Sequence, residues 1–505
     1  MANDTFLKNL NLPGRFEKLE TESKNAGCDM AGIIQRVDAA CVEIETVLRE
    51  VHTSGLGRLQ ILHGTSGSGK TTFLHGLPYF FENIVVVRAT NEEKITEIAE
   101  FIKRDSLHRK EHRLYIIHDR DNPNESDADL RVAFESLRSL FRTEVGQVLV
   151  VWPITDRSMA EHISDIAWDI GRDSLLGTRS RVFDFTGLSK EFFAHVADIT
   201  TRSLNAGENL ESFGIGTDIA QELARQSDTI GEFYSRLNGK SAERNAVSLQ
   251  LLKARTRPRV WVVVPGDDIK ELDRTISNLT QGTRNRIDID KVAEFLDNKE
   301  NKSAYLTDWR ARRADMAYLM RILDVRLFEL PPNAALAAIR CYGDTGVKAS
   351  LQKKTETPEN CAEVMGRVRI GQALINPETP LSIRVRETSE EMAKEYMAIQ
   401  QLAAKGDKGL NKSLSASIEA YLEGNDRKVK VTSEKQNLPG SQLCPDVQVP
   451  FDDGSIVCLE LTWRSTGKFL PATTGERKPQ NTLTPGHIMK YLLDKVMEYV
   501  KDLKL

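Results

Sequence analysis

The stretch Leu59-Gln60-Ile61-Leu62-His63-Gly64-Thr65-Ser66-Gly67-Ser68-Gly69-Lys70-Thr71-Thr72 decides how this chain is read. It opens as a buried strand, passes through a glycine-rich turn and enters a helix at about Thr71. Gly64, Gly69, Lys70 and Thr71 satisfy the pattern G-x-x-x-x-G-K-[ST]. Glycines at these positions let successive backbone N–H groups curl around phosphate oxygens without side-chain clash. In such a loop the lysine reaches the outer phosphates, the hydroxyl of Thr71 binds Mg²⁺, and the helix adds its positive end. Gly64, Thr65, Ser66, Gly67, Ser68, Gly69, Lys70, Thr71 and Thr72 are therefore the expected phosphate cradle. A plain glycine linker is the alternative, and the apolar strand in front of the loop argues against it.

These residues resemble the P-loop NTPases, which implies ATP and Mg²⁺ as cofactors. Strand candidates follow at 83–87 and 113–117, and the second runs into His118-Asp119-Arg120-Asp121. An acid at that strand end holds the metal, and a second one orients the attacking water. Asp119 is the candidate for the metal. Arg120 occupies the place of the usual second acid, which leaves Asp121 for that task. The strand 148–152 leads to Thr155 and Asp156, a polar pair that resembles the γ-phosphate-sensing position of AAA+ ATPases. Arg179 and Arg181 precede the next strand. Here the chain is similar to the initiator-like and STAND-like members of AAA+, in which an arginine at this place reaches a neighbouring subunit's nucleotide. The resemblance thus implies a homo-oligomer and a catalytic role for Arg181 in trans. Residues 189–237 read as a helical lid. Gly231 stands in the region where such lids often carry an arginine, with Arg225 and Arg236 nearby. That departure favours a switch over a hexameric DNA-translocating motor.

At 505 residues the chain has room for two to four domains, and 40% hydrophobic with 28% charged residues is ordinary for globular domains with their own cores. The net charge of −4 gives no global basic footprint, so nucleic-acid contact must come from local patches. Six scattered cysteines without a C-x-x-C pair point to reduced thiols in a cytoplasm. No apolar run reaches membrane-spanning length, and the N-terminus shows no signal-peptide core.

The C-terminal fifth carries a second constellation. Cys444-Pro445-Asp446 is followed by Cys458-Leu459-Glu460-Leu461-Thr462, with a helix at 411–423 before and another at 487–501 after. This resembles the PD-(D/E)xK superfamily of restriction-endonuclease-like folds. That resemblance implies a metal held by Asp446 and Glu460, a first-helix acid at Glu419, and a lysine that assists the attacking water. Thr462 occupies the lysine's position, and Lys490 on the last helix is the candidate replacement. The usual final strand is also missing after that helix. An α/β interaction domain with no chemistry is the alternative. Between the two constellations, Arg310, Arg312, Arg313 and Arg321 with Trp309 and Tyr318 form a basic helix. It serves either a phosphate backbone or, more commonly, a solvated face.

The expected fold class is α/β. The expected domains are an N-terminal arm at 1–32, a P-loop ATPase core at 33–188, a helical lid at 189–250, a mostly helical middle region at 251–404, and a small nuclease-like domain at 405–505. The expected function is an ATPase whose nucleotide state controls a nuclease-like domain acting on DNA, in restriction or anti-phage defence, with a partner protein encoded alongside. A nucleotide-dependent scaffold or regulator that binds DNA or protein without cleavage is the alternative.

Overall fold

The computed structural model describes residues 9–89, 94–106, 112–118, 120, 123–253, 257–385, 387–434, 436–466 and 482–505. The chain divides into two compact units, Leu10–Leu210 with Ile215–Lys240, and Ser241–Leu505 with Glu211–Gly214.

The P-loop unit is built on five parallel strands: β1 (Arg58–His63), β2 (Ile84–Ala89), β3 (His112–Ile117), β4 (Leu149–Ile154) and β5 (Val182–Asp184). Their spatial order is β2-β3-β4-β1-β5. A parallel sheet covered by helices on both faces needs strands that are apolar in both directions. β4 meets this throughout, and in β1 Leu59 and Ile61 pack into one core while Leu62 packs into the other. The glycine loop lies between β1 and the helix Lys70–Phe80, at the C-terminal edge of the sheet. The architecture is mixed α/β, a parallel sheet with helices packed on it.

Residues expected to form an N-terminal arm belong to this unit. The helix Phe16–Ala26 buries Phe16, Leu19 and Ser23, and the side chain of Asn238 bonds both backbone groups of Leu12. Apolar side chains at i and i+3 are enough to seat a short amphipathic helix when a receiving surface exists. That surface is not visible in the local sequence.

The second unit is organised around a seven-stranded sheet. It contains β6 (Arg257–Pro265), β7 (Thr280–Gln281), β8 (Arg286–Ile287), β9 (Arg326–Leu330), β10 (Thr432–Ser433), β11 (Val447–Pro450) and β12 (Ser455–Leu461) in the order β10-β11-β12-β6-β9-β8-β7. Strands from 257–330 and from 432–461 thus share one sheet, across the boundary expected at residue 405. β11 and β12 form the expected antiparallel hairpin. β12 pairs in parallel with β6, which comes some 200 residues earlier in the chain. Alternation separates the two faces of β6: Val260, Val262 and Val264 enter one core with the C-terminal helix Pro485–Leu503, whereas Trp261 and Val263 enter the other.

β9 carries one buried acid with a measurable consequence. Glu329 is fully buried, and both of its carboxylate oxygens lack a hydrogen-bond partner. Among the described residues its counter-charge is Arg369, at 3.3 Å, which also binds Asp273 at 2.8 Å. Burial pushes its pKa up from 4.5 to about 7, against the pull of Arg369. A carboxyl raised by folding contributes stability below its unfolded pKa and loses it as the pH climbs through the folded value. The chain should therefore lose up to about 3 kcal/mol between pH 4.5 and pH 7 through this group. Glu329→Gln should melt higher than the parent at pH 8, with a smaller difference at pH 5. Parallel melting curves at both pH values would refute this.

Candidate functional site

In the P-loop unit the strand–loop–helix places every expected cradle residue. Gly67 and Gly69 adopt φ of +80° and +94°, a backbone open to glycine and strained for other residues. Lys70 is buried, and its ammonium group donates to Gly64 O at 2.5 Å, Thr65 O at 3.3 Å and Thr155 Oγ1 at 3.2 Å. Thr155 at the end of β4 and Lys70 in the loop are thus in direct contact. Asp156, its neighbour and rival, caps the helix Arg157–Gly171 by accepting from Met159 N at 2.8 Å. The loop borders a cavity of about 750 Å³, which also touches Thr71, Thr72, His118 and, from the N-terminal segment, Pro13 and Phe16. The buried Ser68 hydroxyl has no partner in this wall. An orphaned hydroxyl, a glycine cradle and a lysine at one cavity fit a phosphate group.

The lid explains its glycine. Gly231 N donates to Gly67 O at 3.0 Å, and a Cβ on Gly231 would stand 3.0 Å from Gly67 Cα. A side chain at this position would have to push the backbone of the glycine loop aside by a few tenths of an ångström. Arg225 and Arg236 instead pair with Glu222 and Glu232 beside them on their own helices. Asp119 and Asp121 lie outside the described residues.

The second unit brings together a buried acid and half-buried charges on the face of β12 that meets the C-terminal helix. Asp446, one residue before β11, accepts from Leu461 N at 2.7 Å and so ties the two strands of the hairpin. Glu460 is buried; its Oε1 accepts from the Tyr499 hydroxyl at 2.6 Å, and its Oε2 lies 3.1 Å from Lys495 Nζ. Burial and the Glu460 charge raise the Asp446 carboxyl from 3.8 to about 7. Burial pulls Lys495 down, but the carboxylates of Glu460 and Glu498 outweigh it and hold the ammonium above the ordinary lysine pKa. Two hard carboxylates whose charges strain one another fit a divalent cation of the Mg²⁺ type. No group of three or more His, Cys, Asp or Glu ligands occurs among the described residues.

No protein-family model matches the sequence, and no curated protein is similar to it. Among solved structures, the chain is similar to the Orc1 protein of Aeropyrum pernix in complex with DNA. Identity is 13%, the TM-score is 0.23, and the alignment covers 63% of this chain and 86% of that one. A likeness at this level assigns no residue.

Several expected site residues lie elsewhere. Glu419 is not with Asp446 and Glu460; it accepts from Val431 N at 2.7 Å and pairs with Lys430, holding the chain ahead of β10. Lys490 is exposed, because the helix Pro485–Leu503 turns Lys495 toward Glu460 instead. Five residues along a helix is a rotation of well over a hundred degrees, so one of the two must face away. Thr462 accepts from Arg464 Nε at 2.8 Å. Arg181 stacks on Trp168 at 4.0 Å and pairs with Asp165, at the N-terminal end of β5 and so on the sheet edge opposite the glycine loop. Arg179 pairs with Glu43. The expected basic helix is two helices, Ala304–Ala311 and Arg313–Ile322, and its arginines have partners within the unit: Arg310 donates to the carbonyls of Leu296, Asn298 and Asn301, Arg313 pairs with Asp297, and Arg321 packs over Phe213. Lys495 was not singled out from sequence; a lysine on the apolar side of an amphipathic helix was the available signal.

Proposed function

We propose that this chain binds and hydrolyses ATP with Mg²⁺ at the glycine loop. In this reading, nucleotide state governs a phosphodiester-cleaving centre formed by Asp446, Glu460 and Lys495. The observation that carries the first half is the contact of Lys70 with Thr155 at the rim of the 750 Å³ cavity. Lys70 would bind the outer phosphates, the Ser68 hydroxyl and loop N–H groups would hold the others, and Thr155 would sense the terminal one. Thr71, with Asp119, would hold the metal. The resemblance to AAA+ and STAND-like ATPases supports an oligomer in which Arg181 serves a neighbouring copy. On its own chain it stands on the wrong edge of the sheet.

At the second centre, Asp446 and Glu460 would hold a cation, which when bound polarises a scissile phosphate. Burial raises the Glu460 carboxyl and Lys495 opposes that shift, and its ammonium would present a charged donor beside the acid, the part that Thr462 cannot play. Nucleic acid, DNA in the first instance, is the substrate class, and restriction or anti-phage defence in the cytoplasm is the biological setting this pairing resembles. The second reading, a nucleotide-dependent regulator that binds without cutting, is favoured by one observation: no group of three or more His, Cys, Asp or Glu placed to hold a metal occurs among the described residues.

The test is cleavage of plasmid, linear and single-stranded DNA by the intact protein with Mg²⁺, with and without ATP. Cleavage that depends on ATP and disappears in Glu460→Gln is the expected result. ATP hydrolysis with no cleavage of any substrate would overturn the nuclease half and leave the regulator.

A further inference from the structure

β12, β6 and β9 are neighbours and parallel. The chain leaves β6 into the helix Ile269–Ser277, whose Leu272 and Ile276 join the core with Val260, Val262 and Val264. It leaves β9 into the helix Pro332–Tyr342, whose buried face joins the core with Trp261, Val263 and Phe328. Two adjacent parallel strands thus send their chains to opposite faces of the sheet. Beyond the carboxyl ends of such a pair a crevice opens, and in open α/β sheets it is where ligands bind.

A cavity of about 660 Å³ occupies that place, lined by Ile269 from one helix start and Pro332 and Asn333 from the other. Its volume is that of a small-molecule pocket. Two arginines, Arg367 and Arg384, line it as well. Arg367 pairs with Glu363, four residues away on its own helix, while Arg384 is exposed and makes no hydrogen bond or ion pair with the described residues. The one acid of the lining, Glu387, is neutralised by Lys270 at 2.9 Å. No side chain caps the helix Pro332–Tyr342, and since neither Pro331 nor Pro332 carries an N–H, Asn333 N–H is its first free donor. Val368, Ile383 and Met392 add an apolar stretch of wall, beside the polar Gln372, Ser382 and Thr388.

We propose that this crevice binds a phosphate-bearing ligand of mononucleotide size. Its phosphate would lie between Arg384, Arg367 and the Asn333 end of the helix, and its base against the apolar wall. The site is separate from the glycine loop and does not depend on the function proposed above.

The test is equilibrium dialysis of the four labelled nucleoside monophosphates against the full chain, Lys70→Ala, and Arg384→Glu. Inorganic phosphate and the unphosphorylated nucleosides serve as competitors. Expected is saturable binding of one ligand per chain that survives Lys70→Ala, weakens about tenfold or more in Arg384→Glu, and is displaced by phosphate but not by nucleoside. Arg384 is exposed, so its variant should melt like the parent. The proposal is overturned if no monophosphate binds at millimolar concentration, if Lys70→Ala abolishes binding, or if Arg384→Glu leaves it unchanged.

Discussion

Lys70→Ala should reduce ATP hydrolysis by roughly 100-fold or more while the fold persists. The lysine is 5% exposed, and its ammonium is held by two loop carbonyls and by Thr155. Its charge is thus pre-positioned at the cavity wall and needs no reorganisation when a phosphate arrives. Alanine removes the only cation that the glycine loop contributes, and the helix N-terminus alone offers a far weaker field. Thr155→Val keeps shape but removes the hydroxyl that Lys70 contacts. A loss of about tenfold in kcat with nucleotide affinity nearly intact is expected, because a residue that reads the terminal phosphate acts mainly in the transition state. Steady-state hydrolysis and fluorescent-nucleotide titration measure the two quantities. Undiminished hydrolysis in Lys70→Ala would place the activity outside the glycine loop.

The second large effect separates two lysines on one helix. Lys495→Met should lower Mg²⁺-dependent DNA cleavage by about 100-fold or more, and Lys490→Met should leave it within about twofold. Lys495 Nζ lies 3.1 Å from Glu460, whereas Lys490 is exposed. Removing Lys495 alone also leaves a buried carboxylate without its counter-charge, at a cost of about 3 kcal/mol or more. The double variant Lys495→Met with Glu460→Gln removes both charges, so it should recover most of that stability and none of the cleavage. This divides chemistry from folding. If Lys490→Met is the variant that abolishes cleavage, the assignment of Lys495 fails. If the double variant melts as low as Lys495→Met, the ion pair is not the source of the instability.

The two units were legible in the sequence to very different depths. Gly64 to Thr72 are contiguous, and a glycine turn between an apolar strand and a helix has one geometry, so the motif carries its own structure. That Asp446 and Glu460 belong to one hairpin was legible for a similar reason, from a Pro-Asp turn and an alternating strand. The contact of Lys495 with Glu460 was not. Lys495 reaches Glu460 only through the rotation of a helix against a sheet, and packing, not spacing, sets that rotation. Glu419 shows the same limit from the other side, since the helix register that would bring it to Asp446 instead aims it at Val431.

What the sequence determined by itself is local: a glycine-rich turn between a strand and a helix, two acids on a hairpin, and α/β periodicity. Tertiary structure decided which distant segments meet. It seated residues 10–26 on the P-loop unit and put β6 beside β12. It pressed Gly231 onto Gly67, and it gave Arg310 three carbonyls, Arg313 an acid and Arg321 an aromatic ring as partners. Each of these is a long-range contact whose closing entropy is repaid by burial shared among many residues. No single position records that balance, and so no motif announces it.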